Sequence, residues 1–224
     1  MKAITLLNEK GGVGKTTLAV HIAAGLAARG GRVVLIDADA QCHATVMLGM
    51  TNEPALHDLL VREVAFKDAL RFVAPEVYAP HADSKGQLFL LPGDLETRVI
   101  PMLVSDVWKL RKRLQQLASA VDYVVIDTAP TPSLFHSMIY LATDAIIYPT
   151  KSERLSFDGL VKSFAHPEEA NESRKPHFAP IQQLGIIPTM HRSQTVEHEE
   201  NLKVLKQQYG DMVWNALPRR ITWA

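Results

Sequence analysis

Paired cysteines, a net charge and long apolar runs are all missing from this sequence. Cys42 is the single cysteine in 224 residues, so no disulfide can close within the chain and a reducing compartment suits it. Lys+Arg and Asp+Glu both number 24, so no global charge excess points to nucleic acid or to a membrane surface. Any DNA contact must rest on a local patch. No apolar stretch approaches the roughly 20 residues that span a bilayer, and the first residues read as a strand with no export signal. The nine histidines form no His-Glu-x-x-His or paired Cys/His spacing, which argues against a protein-held transition metal. There is no Gly-x-Ser-x-Gly elbow, internal repeat or low-complexity tract. The expectation is one cytoplasmic domain over residues 1–224, long enough to bury a real core.

What is present is concentrated near the start, in Asn8-Glu9-Lys10-Gly11-Gly12-Val13-Gly14-Lys15-Thr16-Thr17. Ala3-Ile4-Thr5-Leu6-Leu7 precedes it as a buried strand, and Leu18, Ala19, Ile22, Ala23, Leu26 and Ala27 follow at helical spacing. Strand, glycine-rich turn and helix are the context of a phosphate-binding loop. Backbone N–H groups of Gly11, Gly12, Val13 and Gly14 would form a concavity at the positive end of the helix. Lys15 would reach the terminal phosphates of ATP or ADP, with Thr16 on Mg2+ and Thr17 beside it.

Further along, apolar runs alternate with helical patterns, so the fold class is α/β: a mostly parallel sheet with helices on both faces. Arg32-Val33-Val34-Leu35-Ile36 leads into Asp37-Ala38-Asp39, carboxylates at the end of a strand where open α/β sheets place ligands. Val121 to Asp127 is an apolar strand ending in one carboxylate. Asp127 would accept a hydrogen bond from a water on Mg2+. Between these, 57–72 has helical spacing, 75–86 reads as a surface loop, and a helix runs from about Asp94 to Ala118, broken or restarted at Pro101. The Lys109-Arg111-Lys112-Arg113 run on that helix reads as a solvated face. Leu134–Ala142 is expected to be a helix and 144–150 a strand. Strand 183–189, helix 196–209 and a last short strand over 212–217 complete the pattern.

The loop carries a second lysine, Lys10, and as a whole resembles the deviant phosphate loop of the ParA/MinD family of partitioning and positioning ATPases. The resemblance extends over nearly the whole chain, through Asp37–Gln41 as a first switch and Asp127–Ser133 as a second. It implies that Lys10 crosses an ATP-dependent homodimer interface to the partner's nucleotide. It further implies that Asp37 helps hold hydrated Mg2+ and that Asp39 positions the attacking water. Cys42 and His43 are read as switch or packing residues. The same resemblance places Pro218 against the adenine. Arg192, Arg219 and Arg220 become candidate contacts to nonspecific DNA, and a ParB-like activator becomes the expected partner. The lone cysteine sets the chain apart from the related iron-protein branch. Family members usually add a final helix beyond residue 220, whereas this chain stops at Ala224, with no basic amphipathic membrane helix and no N-terminal helix-turn-helix. Two other readings stand beside the partitioning one: an ATP switch positioning a protein cargo, and an ATP-dependent ligase sharing the fold.

Overall fold

Strands that are apolar at every position can be buried on both faces only if helices cover both sides of the sheet. The computed structural model describes residues 1–52, 55–79, 84–153, 155–175 and 177–219, and it has that architecture. The strands are β1 (Lys2–Leu6), β2 (Arg32–Ala38), β3 (Arg71–Val73), β4 (Gln87–Leu91), β5 (Tyr123–Thr128), β6 (Ala145–Lys151) and β7 (Gln182–Thr189). They form one sheet in the order β3-β4-β2-β5-β1-β6-β7. All neighbours are parallel except β3, an antiparallel edge strand on β4. The helices are α1 (Lys15–Ala28), α2 (His43–Met47), α3 (Leu56–Leu60), α4 (Phe66–Ala69), α5 (Pro75–Tyr78), α6 (Ile100–Leu103), α7 (Lys109–Gln115), α8 (Leu134–Ala142), α9 (Leu155–Arg174) and α10 (Val196–Tyr209).

Alternate strand residues feed opposite cores. Val34, Ile36, Val124 and Ile126 pack with α3, α7 and α8, while Val33, Leu35, Leu88, Leu90 and Val125 pack with α1. A third cluster, around Ile146, Tyr148, Ile186 and Leu205, joins β6 and β7 to α9 and α10. All parallel strands end on one edge, which brings the ends of β1, β2, β5, β6 and β7 together.

Four local expectations are corrected. The 57–72 helix is two short helices and β3, because Glu63 adopts a left-handed φ of 59° between α3 and α4. The 75–86 loop begins with α5, whose first residue is Pro75. The 94–118 helix is a 3-10 turn over Leu95–Val99 capped by Asp94, then α6 with Pro101 in its first turn, then α7. The last strand over 212–217 is absent. That segment follows a 3-10 turn and touches the sheet only through the bridges Ile186–Val213 and His191–Pro218.

The basic run of α7 is also not a free solvated face. Lys109 pairs with Glu63, Arg111 with Asp144 at 2.7 Å, and Lys112 with Asp106 at 2.7 Å. Arg113 donates to the Val64 carbonyl and lies over the Phe66 ring.

Arg174, at the end of α9, is buried to 1% exposure. Its guanidinium donates to the carbonyls of Leu141 at 2.7 Å and Ala179 at 3.1 Å, tying α9 to the end of α8. Arg174→Ala strands those carbonyls in the interior. In urea titrations it should cost roughly 2–4 kcal/mol of unfolding free energy.

Candidate nucleotide site

Residues 7–14 run from the end of β1 to the first residue of α1. Gly14 caps that helix at φ 90°, and Gly12 lies at φ 68°, a left-handed geometry that side chains resist. The loop is tied down from outside. The Thr189 hydroxyl, at the end of β7, is shared between the carbonyls of Val13 at 2.8 Å and Thr150 at 3.1 Å. Asn8 donates to the Pro149 carbonyl at 2.8 Å and accepts from the Lys10 N–H at 2.8 Å. Lys15 is buried, and its ammonium donates to the carbonyls of Asn8 at 2.9 Å and Lys10 at 3.1 Å. Burial lowers its pKa, while Asp127 and Asp39 oppose that shift.

The opposing wall is acidic. β2 and β5 are neighbours, and their register sets Asp37 beside Asp127. Asp37 accepts from the Thr45 N–H at 2.8 Å and the Thr45 hydroxyl at 2.7 Å. Burial raises its pKa in spite of those bonds. Asp39 accepts from the Gln41 N–H at 3.0 Å through one oxygen. Asp127 is fully buried and neither carboxylate oxygen has a hydrogen-bond partner; the Thr16 hydroxyl comes near without forming a full bond. Burial pushes its pKa up to about 7, with Asp37 and Asp39 adding to the rise and Thr16 and Lys15 opposing it. A buried carboxylate left this way is costly unless a cation comes to it.

Oxygen donors alone, from Thr16, Asp37 and Asp127, suit a hard divalent cation such as Mg2+. Among the described residues no three His, Cys, Asp or Glu side chains could ligate a metal by themselves. Water and phosphate would therefore supply most of its ligands, as Mg2+ prefers. Cys42 ends the turn after Asp39 with a left-handed φ of 57°, and His43, the first residue of α2, lines the cavity.

Two cavities meet over the loop and share Gly14, Thr17 and Met190. One, of about 500 Å³, includes Gly11, Gly12, Lys15, Thr16, Asp39 and Pro130. The other, of about 420 Å³, is walled by Leu18, Leu217 and Pro218. The first fits phosphates and the second, with its apolar wall, a nucleoside. Arg192 and Arg219 are exposed at the rim of the second cavity, and Arg220 lies outside the described residues.

Several contributors carried no local signal. Thr45 holds Asp37, and Thr189 braces the loop. Gly93 lies so close to the end of β2 that a Cβ would stand 2.8 Å from the Asp37 carbonyl. Only the Pro92-Gly93 pair, at the end of a strand, marks it in the sequence.

A family model described as an AAA domain matches residues 1–179. The chromosome-partitioning ATPase Soj of Thermus thermophilus is 30% identical, over 100% of this chain and 84% of its own length. The chain belongs to the ParA/MinD family of P-loop ATPases. Among solved structures, the Cyanothece McdA–ATP complex superposes with a TM-score of 0.84 at 21% identity, covering 100% of this chain and 85% of that one. Cobyrinic acid a,c-diamide synthase from Mycobacterium smegmatis, with ADP and magnesium, gives 0.80 at 24% identity, over 98% and 87%. At these identities the superpositions establish the shared fold. In this ParA/MinD member the Lys10 backbone is pinned by Asn8 and Lys15, and Gly159 of α9 packs against it. Glu9, next to it, pairs with His166 of α9.

The Asp127 carboxyl gives a signed prediction for the protein without ligand. Its folded pKa of about 7 stands above the ordinary carboxylate value, so the native state holds the extra proton between roughly pH 4 and 7 and stability falls with rising pH across that window. Asp127→Asn imitates the protonated form. It should stabilise the ligand-free protein by up to roughly 4 kcal/mol at pH 8 and by almost nothing at pH 4, as read by thermal melts.

Proposed function

We propose that this chain is a ParA-like partitioning ATPase that forms a sandwich dimer on ATP, binds DNA without sequence preference and hydrolyses ATP when a ParB-like partner stimulates it. The observation that carries this reading is Lys10. Its N–H and carbonyl are both fixed, yet its ammonium makes no hydrogen bond or ion pair among the described residues. A cation held by its backbone and free at its tip can reach a second nucleotide across an interface. ATP would then favour the dimer through contacts that ADP lacks.

Within one subunit the work divides among named groups. Lys15 would exchange its two loop carbonyls for phosphate oxygens, a gain in charge-assisted bonding. One Asp39 oxygen is held by the Gln41 N–H, which leaves the other to orient a water toward the γ-phosphate. Thr16, Asp37 and Asp127 would hold a hydrated Mg2+, which supplies charge neutralisation on the phosphates. Pro218 and Leu217 would cover the adenine.

A second reading keeps the switch and replaces DNA with a protein cargo. It is favoured by the balanced charge and by the position of Arg192 and Arg219 at the rim of the nucleoside cavity. A ligase role, as in the diamide synthase that shares the fold, has no observation of its own here.

Light scattering with ADP and with ATP tests the switch. Asp39→Ala should accumulate as an ATP-dependent dimer and Lys10→Ala should stay monomeric while still binding ATP; a dimer that forms regardless of nucleotide contradicts the proposal. A low-salt mobility shift with plasmid DNA then separates the two cargoes. The partitioning reading expects an ATP-dependent shift lost on Arg192→Ala with Arg219→Ala, in a double variant that still dimerises at saturating ATP. No shift in wild type favours the protein cargo.

A further inference from the structure

Lys10 and Lys15 belong to the loop itself, and the fold brings up a third lysine. Lys151 is the last residue of β6, half-buried at the carboxyl edge of the sheet. A Cβ built on Gly12 would stand 3.9 Å from its ammonium nitrogen, so the charge lies against the phosphate-binding loop itself. Its backbone is held on either side. The Thr150 carbonyl accepts from Thr189, the residue that also braces Val13. The Ser152 hydroxyl is buried against His191 Nδ1 at 3.1 Å, and the Ser152 carbonyl accepts from Asn201 at 3.1 Å. The ammonium has no hydrogen bond or ion pair among the described residues, although Glu153 lines the same cavity. A half-buried cation without an anion, aimed at a loop built for phosphate, is poised for a ligand anion.

We propose that Lys151 is a nucleotide-positioning cation that binds the α- and β-phosphates within its own subunit and is indifferent to the γ-phosphate. The side from which it approaches decides this. Lys151 lines the nucleoside cavity with Gly14, Thr17 and Leu18, and its ammonium faces Gly12 at the margin of the phosphate cavity, but it does not line the wall formed by Asp39, Thr16 and Pro130, where the γ-phosphate must lie. It therefore anchors ATP and ADP alike, whereas Lys10 responds to ATP through the dimer. This division keeps ADP on the protein after hydrolysis and leaves the switch to Lys10.

The inference rests on the nucleotide reading of the site, and calorimetric titration of ADP and ATP into the whole protein tests the two separately. Lys151→Gln should weaken ADP and ATP by the same factor, roughly tenfold to a hundredfold, with the ratio of the two affinities unchanged. Lys151→Arg should recover part of the loss, and the ligand-free melting temperature of both variants should match wild type. Unchanged affinity in Lys151→Gln would overturn the role of Lys151 alone. So would a loss confined to ATP, which would place the lysine on the γ-phosphate or across an interface. Wild type that binds neither nucleotide would overturn the reading of the site and this inference with it.

Discussion

Three carboxylates at the carboxyl edge of the sheet face one buried ammonium, and much of the site's construction follows from that imbalance. Asp37 and Asp127 share a rung of β2 and β5, and Asp39 follows two residues later. Lys15 cannot neutralise all three, and it is already engaged by two carbonyls of its own loop. Thr45 satisfies Asp37, the Gln41 N–H satisfies half of Asp39, and Asp127 remains bare. The ligand-free protein thus carries a standing electrostatic cost at one point, relieved by a cation or by a proton. Such a site trades stability for readiness to bind.

Around this acidic centre the supporting contacts come from the ends of other strands. The Thr189 hydroxyl from β7 and the Asn8 amide, bonded to Pro149 of β6, fix the loop at opposite ends. A Cβ built on Gly11 would stand 4.0 Å from the Pro130 ring, and His136 at the start of α8 holds the Ala129 carbonyl at 3.1 Å. On the outer side, α9 meets Glu9 through His166 and Ser163. His166 in turn stacks on Tyr140 of α8, with ring centroids 5.7 Å apart. The loop, the segment after β5 and α9 are therefore packed as one unit, so a change at the loop has a short physical route to the helices.

What was legible in the sequence were the features written in consecutive residues. The glycine-rich loop between β1 and α1, the strand-end carboxylates Asp37 and Asp127, the α8 helix and the α10 helix all stand where local spacing put them. Legibility failed where tertiary contacts override a local pattern. Glu63 turns left-handed and breaks a run of apolar residues that would otherwise continue as a helix. Val213 pairs with Ile186 at a single bridge, so an apolar run that looks like a strand never becomes one. The α7 lysines and arginines are each matched by partners from elsewhere in the chain or by the preceding turn, which composition cannot reveal. In the site, Thr45, Gly93 and Lys151 arrive by topology alone, from a short helix, a strand end and a β6 terminus distant in sequence from the loop.

The central claim is that the Asp127 carboxyl, buried and without a hydrogen-bond partner, is a place prepared for a cation and holds a proton in its absence. Calorimetry of Mg2+·ADP binding at pH 7, in buffers of different ionisation enthalpy, counts that proton directly. At nucleotide concentrations that saturate both proteins, wild type should release more protons than Asp127→Asn, because burial holds the Asp127 carboxyl well above the ordinary carboxylate range until a cation faces it. Equal proton release by the two proteins would contradict the account.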